Sequence, residues 1–150
     1  MTQRIAMLVL FAALTAFSGC TTFTTLLSPP TPDLSLTRLS KENRFLVTLV
    51  PPEGAIGIQQ IQSWQIKLAT PAGVPIPGAL VYMNGGMPEH GHGLPTRPVV
   101  TKEIVPGTYL LEGLKFSMPG WWELVVAIQV NGFEDMTYFN QIVAVPAGAK

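Results

Sequence analysis

The chain has 150 residues, and its nine basic and nine acidic side chains give a formal net charge of zero. This length is enough to bury the core of one domain but not of two. Only 12% of the residues are charged and no basic stripe is present, which excludes nucleic-acid binding through phosphate neutralisation. Fourteen glycines and fourteen prolines favour short strands and turns over long helices.

The N-terminus has the pattern of a bacterial lipoprotein signal peptide. Arg4 precedes an uncharged apolar run over residues 5–14, which is shorter than the roughly 20 residues that a membrane-spanning helix needs. Small residues at 18 and 19 then precede Cys20, the one cysteine of the chain. We predict a signal peptide over residues 1–19, lipidation of Cys20 and a membrane anchor in the bacterial cell envelope. The alternative is an ordinary secretory peptide followed by a chance cysteine.

Residues 20–42 are predicted to be a flexible tether between the lipid and one domain over residues 43–150. Thr, Ser and Pro dominate the first half of this stretch, which is too poor in apolar residues to fold by itself. Thr21 replaces the aspartate that commonly retains lipoproteins at the inner membrane. We therefore predict an outer-membrane protein that faces the periplasm.

The remaining chain has the pattern of an all-β domain of about seven strands, with close turns and no convincing helix. Alternation places Trp64, Ile66 and Leu68 on one face of a strand, and Trp122, Leu124, Val126 and Ile128 on one face of the longest strand. Asn131-Gly132 is a strong hairpin signal. An immunoglobulin-like sandwich is predicted, and a small barrel is the alternative. The predicted strands are 45–50, 63–68, 79–83, 98–101, 107–112, 121–130 and 137–143.

One segment, residues 83–95, contains both histidines of the chain. His90 and His92 flank Gly91, which allows the backbone to bend, and Met87 lies three residues upstream. Met118 begins a second turn. Imidazole and thioether groups are copper ligands, and thioethers prefer the cuprous ion. The four residues therefore form a candidate copper site, although a Gly- and Pro-rich turn whose imidazoles only bond backbone carbonyls has the same pattern.

Other chemistry has little support in the sequence. No serine has the surroundings of a nucleophile elbow, and no glycine-rich phosphate loop precedes a helix, so the chain is not predicted to be an enzyme. Glu89, Glu103, Glu112 and Glu123 are predicted to lie on the solvated surface. Glu134 and Asp135 border a hairpin and are also predicted to be exposed, whereas Met136 is predicted to fill the core.

Two motifs together resemble the YtkA-like (FixH-related) envelope domains. They are Met87-Pro88-x-His90-Gly91-His92-Gly93 and the later run from Gly113 to Leu124, which contains Phe116, Met118-Pro119-Gly120 and Trp122. The resemblance spans about residues 44–130. It implies a β-sandwich, and the FixH relatives imply a role beside copper-containing respiratory oxidases. Related sequences often carry histidine where this chain has Ser117, so the matching ligands are Met87, His90, His92 and Met118.

Two functions from different classes follow. The first is an envelope lipoprotein that binds or hands over copper, with a copper protein or respiratory oxidase as its partner. The second is a structural or interaction lipoprotein, in which the loop only shapes a turn and the sandwich contacts another protein. Stabilisation of the folded protein by copper would distinguish them.

Overall fold

The computed structural model describes residues 31–145. The predicted signal peptide, Cys20 and residues 20–30 of the predicted tether lie outside the described residues. Nothing in the described range is a helix long and apolar enough to cross a membrane. The strands are β1 (Thr37–Leu39), β2 (Leu46–Val50), β3 (Ile61–Ala69), β4 (Leu80–Met87), β5 (His92–Gly93), β6 (Val99–Val105), β7 (Thr108–Lys115), β8 (Gly120–Val130) and β9 (Phe133–Val143).

The strands form two antiparallel sheets. One has the order β1-β2-β3-β7-β6, and the other has the order β5-β4-β8-β9. If β2 is taken as strand A, these orders correspond to the ABED and C′CFG sheets of the immunoglobulin fold. The sandwich prediction is confirmed, and the barrel alternative is wrong because the two sheets do not close on each other. The two strands beyond the predicted seven are β1 and β5, which are too short to leave an alternating pattern.

The core lies between the inner faces of the two sheets. Trp64, Ile66 and Leu68 of β3 are buried, and so are the alternate residues of β8 that the sequence places inward. Edge-on contacts join Trp64 to Phe116 and Phe116 to Trp122, with ring centroids 6.4 Å and 5.3 Å apart. These aromatic rings connect the two sheets at the end of the sandwich where β8 begins.

The β8–β9 hairpin confirms the turn predicted at Asn131-Gly132. Both residues have positive φ angles, 50° and 79°, as a two-residue turn between twisted strands requires. The ladder then runs from Val130 opposite Phe133 to Gly120 opposite Val143. The far end of this hairpin lies beside the end of β4, since Gly86 pairs with Glu123.

The tether prediction is wrong for its last residues. Thr37, Arg38 and Leu39 form β1, which pairs with β2, and the side chain of Leu36 packs against the core. Ser40 is buried, donates to a carboxylate oxygen of Asp135 and accepts the N–H of Phe45. Backbone pairing and one buried hydroxyl order this stretch, although it has few apolar side chains.

Asp135 is also a correction, because its side chain is buried rather than exposed. It lies on the inward face of β9 with Thr137 and Phe139. Its carboxylate accepts the Ser40 hydroxyl at 2.6 Å and the N–H groups of Glu42 and Met136 at 3.2 Å and 2.8 Å. Burial alone raises the pKa of this carboxyl, but these hydrogen bonds together hold its pKa below the usual range. Asp135 therefore fastens the segment after β1 to the β8–β9 hairpin.

Met136 follows Asp135 and therefore projects from the opposite face of β9. Its side chain is 38% exposed. The prediction that Met136 fills the core is wrong, because Met136 alternates with the buried Asp135 and Thr137 along β9.

Candidate functional site

His90 lies in the turn that joins β4 to β5, and His92 is the first residue of β5. The carbonyl of Met87 accepts the N–H groups of His90 and Gly91, at 3.1 Å and 2.9 Å. Gly91 has a φ of 64°, a left-handed conformation that a residue with a Cβ rarely adopts. The bend predicted at Gly91 is present, and it returns the chain to β4 with His92 opposite Met87.

This turn brings the two imidazoles together. The ring centroids of His90 and His92 are 6.2 Å apart, and the ring planes differ by 23°. Both side chains are exposed. The pair is therefore accessible to a solute.

Met87 connects the histidine turn to the core. As the antiparallel partner of His92, it projects from the same face of the sheet. Its side chain is only 2% exposed, and its Cε lies against Gly120 at the start of β8. A Cβ on Gly120 would be 2.8 Å from that Cε, so this glycine makes room for the Met87 side chain.

Met118 lies two residues before Gly120. Its side chain is partly buried and packs against the core. Its backbone carbonyl accepts the indole N–H of Trp122 at 3.1 Å. Because Trp122 is completely buried, this hydrogen bond fixes the Met118 turn to the core.

A groove of about 550 Å³ runs beside the histidine turn. His92 contributes to its wall together with Asn84 and Glu123, whereas His90 and Met118 do not line it. Glu123 was predicted to lie on the solvated surface, but it is half-buried here, opposite Gly86. The sequence signal that could have found this position is the Gly85-Gly86 pair, because two glycines in a strand often mark a close approach of neighbouring backbone.

The structure brings three of the four predicted ligands together, since it places His90 beside His92 and His92 opposite Met87. The structure also places the Met87 Cε against Gly120, two residues after Met118. It does not place Met118 in the groove beside His92. Among residues 31–145, no three His, Cys, Asp or Glu side chains are grouped closely enough to hold a metal ion. A site here would depend on the methionine sulfurs.

Comparison with known families identifies the domain. The family model described as YtkA-like matches residues 40–127. The chain belongs to the YtkA-like family. The match covers the histidine turn, Met118 and most of β8, so the YtkA-like part of the predicted resemblance is confirmed. It begins at the buried Ser40, which agrees with the inclusion of that residue in the folded domain.

Solved structures similar to this YtkA-like chain include the ZirS C-terminal domain, at 12% sequence identity and a TM-score of 0.41. That alignment covers 91% of this chain and 86% of the other. No curated protein matches the chain.

Proposed function

We propose that the protein is an envelope lipoprotein whose YtkA-like domain binds copper at the β4–β5 turn and hands it to a partner. The partner would be a copper protein or a respiratory oxidase, as the FixH resemblance implies. The observation that supports this function best is the stacking of His90 on His92 at the end of β4, where His92 pairs with Met87 in the ladder. Met118 is the fourth proposed ligand.

The donor set fits copper chemistry. Two imidazoles on one ion have ring centroids no more than about 6 Å apart, given metal–nitrogen bonds of about 2.0–2.1 Å. The ring centroids of His90 and His92 are 6.2 Å apart, just beyond that limit, so these two exposed side chains must approach each other to bind one ion. Met87 and Met118 would add soft sulfur donors, which prefer Cu(I) among the common biological ions.

The positions of the donors also fit a carrier. His90 and His92 are exposed and can be approached by another protein, whereas Met87 is held by core packing. The hydrogen bonds to the Met87 carbonyl fix the backbone of the turn, so little backbone ordering has to accompany binding. An ion bound at such a rim would be accessible to ligand exchange.

We expect the protein to bind one cuprous ion in a titration against a colorimetric Cu(I) chelator. The measurement should use the Cys20→Ser chain, because the one thiol would otherwise compete for copper. Changing His90 and His92 to alanine should weaken binding at least about 100-fold, since each lost ligand typically costs more than a factor of ten. Affinity should also fall at acidic pH, because a protonated imidazole cannot ligate a metal.

Glu89→Ala is the matched control, because it changes an exposed side chain of the same turn. Its affinity should equal that of Cys20→Ser alone. If the double histidine variant binds Cu(I) as tightly as the control, the turn is only structural, and the interaction-lipoprotein alternative replaces the copper function.

The lipid anchor makes a separate prediction. Cys20→Ser should remove incorporation of labelled palmitate and release the protein from the membrane fraction, because Cys20 is the only thiol that can be acylated. Thr22→Ser, which changes a residue near Cys20 but outside the signal-peptide pattern, should remain membrane-bound. Recovery of the unchanged protein in the soluble periplasm without detergent would contradict lipidation.

A further inference from the structure

The outer edge of β4 is open over most of its length. One edge of β4 pairs with β8 from Leu80 to Gly86. The other edge pairs with the two-residue β5 at Gly86 and Met87 only, extended by one bond from the N–H of Leu94 to the carbonyl of Gly85. Upstream of Gly85, no strand in the described part of the chain pairs with this edge.

The backbone groups on this edge can be assigned from the ladder. In an antiparallel strand, alternate residues direct their N–H and C=O groups to opposite sides. Since the Gly85 carbonyl points to the β5 side, Val81 and Met83 present their groups to the same open side. The N–H groups at the two ends of this open stretch have acceptors. The N–H of Ala79 donates to the Tyr109 hydroxyl at 2.9 Å, and the N–H of Gly85 donates to the Asn84 side chain at 2.8 Å. We call the open segment Leu80–Asn84 the β4 edge.

The other sheet edges are protected. β6 carries two register shifts and the charges of Lys102 and Glu103, and β1 has only three residues. The edge of β9 is covered at Met136 and Tyr138, whose carbonyls accept the Lys41 N–H and the Arg38 side chain, and the Asn140 side chain donates to the Asp33 carbonyl. By contrast, the β4 edge carries no charge and no bulge. Natural proteins rarely leave such an edge without a partner.

A groove of about 400 Å³ lies along this edge, with β6 as its opposite wall. The exposed side chains of Leu80 and Tyr82 flank it on the outer face. Glu103 is engaged in the wall, where it accepts the N–H groups of Gly78 and Gly107. Lys102 also lines the groove and has no ion pair among residues 31–145. The groove thus offers backbone hydrogen bonds, apolar contacts and the ammonium group of Lys102, while the neighbouring Glu103 carboxylate is held by backbone N–H groups.

We propose that the β4 edge binds an extended segment of a partner protein as an added strand. The segment has apolar residues at alternate positions, which contact Leu80 and Tyr82, and an acidic residue that faces Lys102. Main-chain hydrogen bonds to Val81 and Met83 supply the affinity, and the side-chain contacts supply the preference. This docking function is independent of copper.

The test uses a fluorescein-labelled synthetic peptide of alternating valine and threonine with one central aspartate. Its binding to the purified full-length chain is measured by fluorescence anisotropy. Lys102→Glu should weaken binding at least about tenfold, and a peptide with lysine in place of aspartate should restore it. Lys67→Glu makes the same charge change at an exposed side chain of β3, and this variant should bind the peptide as the unchanged protein does. Val81→Pro removes an N–H that faces the open edge without removing a bond to β8, and it should abolish binding.

Three results would overturn the proposal. The first is no binding at protein concentrations up to about 1 mM, the weak limit of specific association. The second is equal binding of a peptide that is N-methylated at alternate amides, which cannot extend a sheet. The third is a concentration-dependent dimer in sedimentation that Val81→Pro removes, because the edge would then bind a second copy of this chain. Tyr82→Ser, which removes an exposed apolar contact without adding a charge, should weaken peptide binding or dimer formation and replaces Val81→Pro if that variant does not fold.

Discussion

Trp122→Ala is expected to lower the free energy of unfolding by about 3–5 kcal/mol, a large part of the 5–15 kcal/mol that is typical of a domain. The side chain is completely buried, and its ring packs edge-on against Phe116. Its removal would leave a cavity between the sheets and would also free the Met118 carbonyl from its hydrogen bond. Urea unfolding followed by circular dichroism measures the loss.

Trp121 provides the control, because it is the same residue type one position away on the opposite face of β8. It is half-buried, and its indole N–H donates to the side chain of Asn140. Trp121→Ala should cost roughly 0.5–2 kcal/mol. Equal losses for the two variants would contradict the assigned register of β8.

Asp135→Ala is expected to lower the free energy of unfolding by on the order of 3 kcal/mol, because it leaves a buried hydroxyl and two backbone N–H groups without their acceptor. Asp135→Asn should cost less, since the amide oxygen can still accept one or two of these bonds. Glu134→Gln, at the exposed neighbouring position, should have little effect. Thermal unfolding at neutral pH compares the three variants.

Asp135 also predicts a dependence of stability on pH. Its pKa is lower in the folded protein than in the unfolded chain, so the carboxylate contributes stability above the unfolded value of about 3.9. That contribution is lost as the pH falls through the lower, folded pKa. The difference in stability between the unchanged protein and Asp135→Asn should therefore narrow below about pH 4. A difference that stays constant down to pH 2 would show that Asp135 does not hold the segment after β1.

The fold could be predicted from the sequence where alternation was long and turn signals were strong. Alternate burial over β8 and the Asn131-Gly132 turn determine the longest hairpin, and both are visible in the printed sequence. β1 and β5 could not be predicted in this way, because strands of three and two residues show no period. The burial of Asp135 could have been inferred by extending the alternation of Phe139 back along β9, but a carboxylate near a turn is normally solvated.

Only part of the candidate site could be predicted from the sequence. The Gly91 bend and the proximity of the two histidines follow from local spacing. The contact between Met87 and Gly120 joins residues more than 30 positions apart, and it depends on how β4 and β8 pair. The position of Met118 outside the groove beside His92 could not be predicted either, because it also depends on how distant parts of the chain pack together.

X-ray absorption at the copper K-edge of the Cu(I)-loaded Cys20→Ser chain tests whether methionine and histidine side chains together bind the ion, because it distinguishes sulfur from nitrogen neighbours. We expect both nitrogen and sulfur neighbours of the copper ion. The sulfur contribution should be reduced in Met87→Leu and in Met118→Leu. The nitrogen contribution should be lost when His90 and His92 are both changed to alanine. Leucine keeps the approximate volume of each methionine, so the fold should be retained. A spectrum without sulfur, or one that none of these substitutions changes, would contradict a copper site formed by Met87, His90, His92 and Met118.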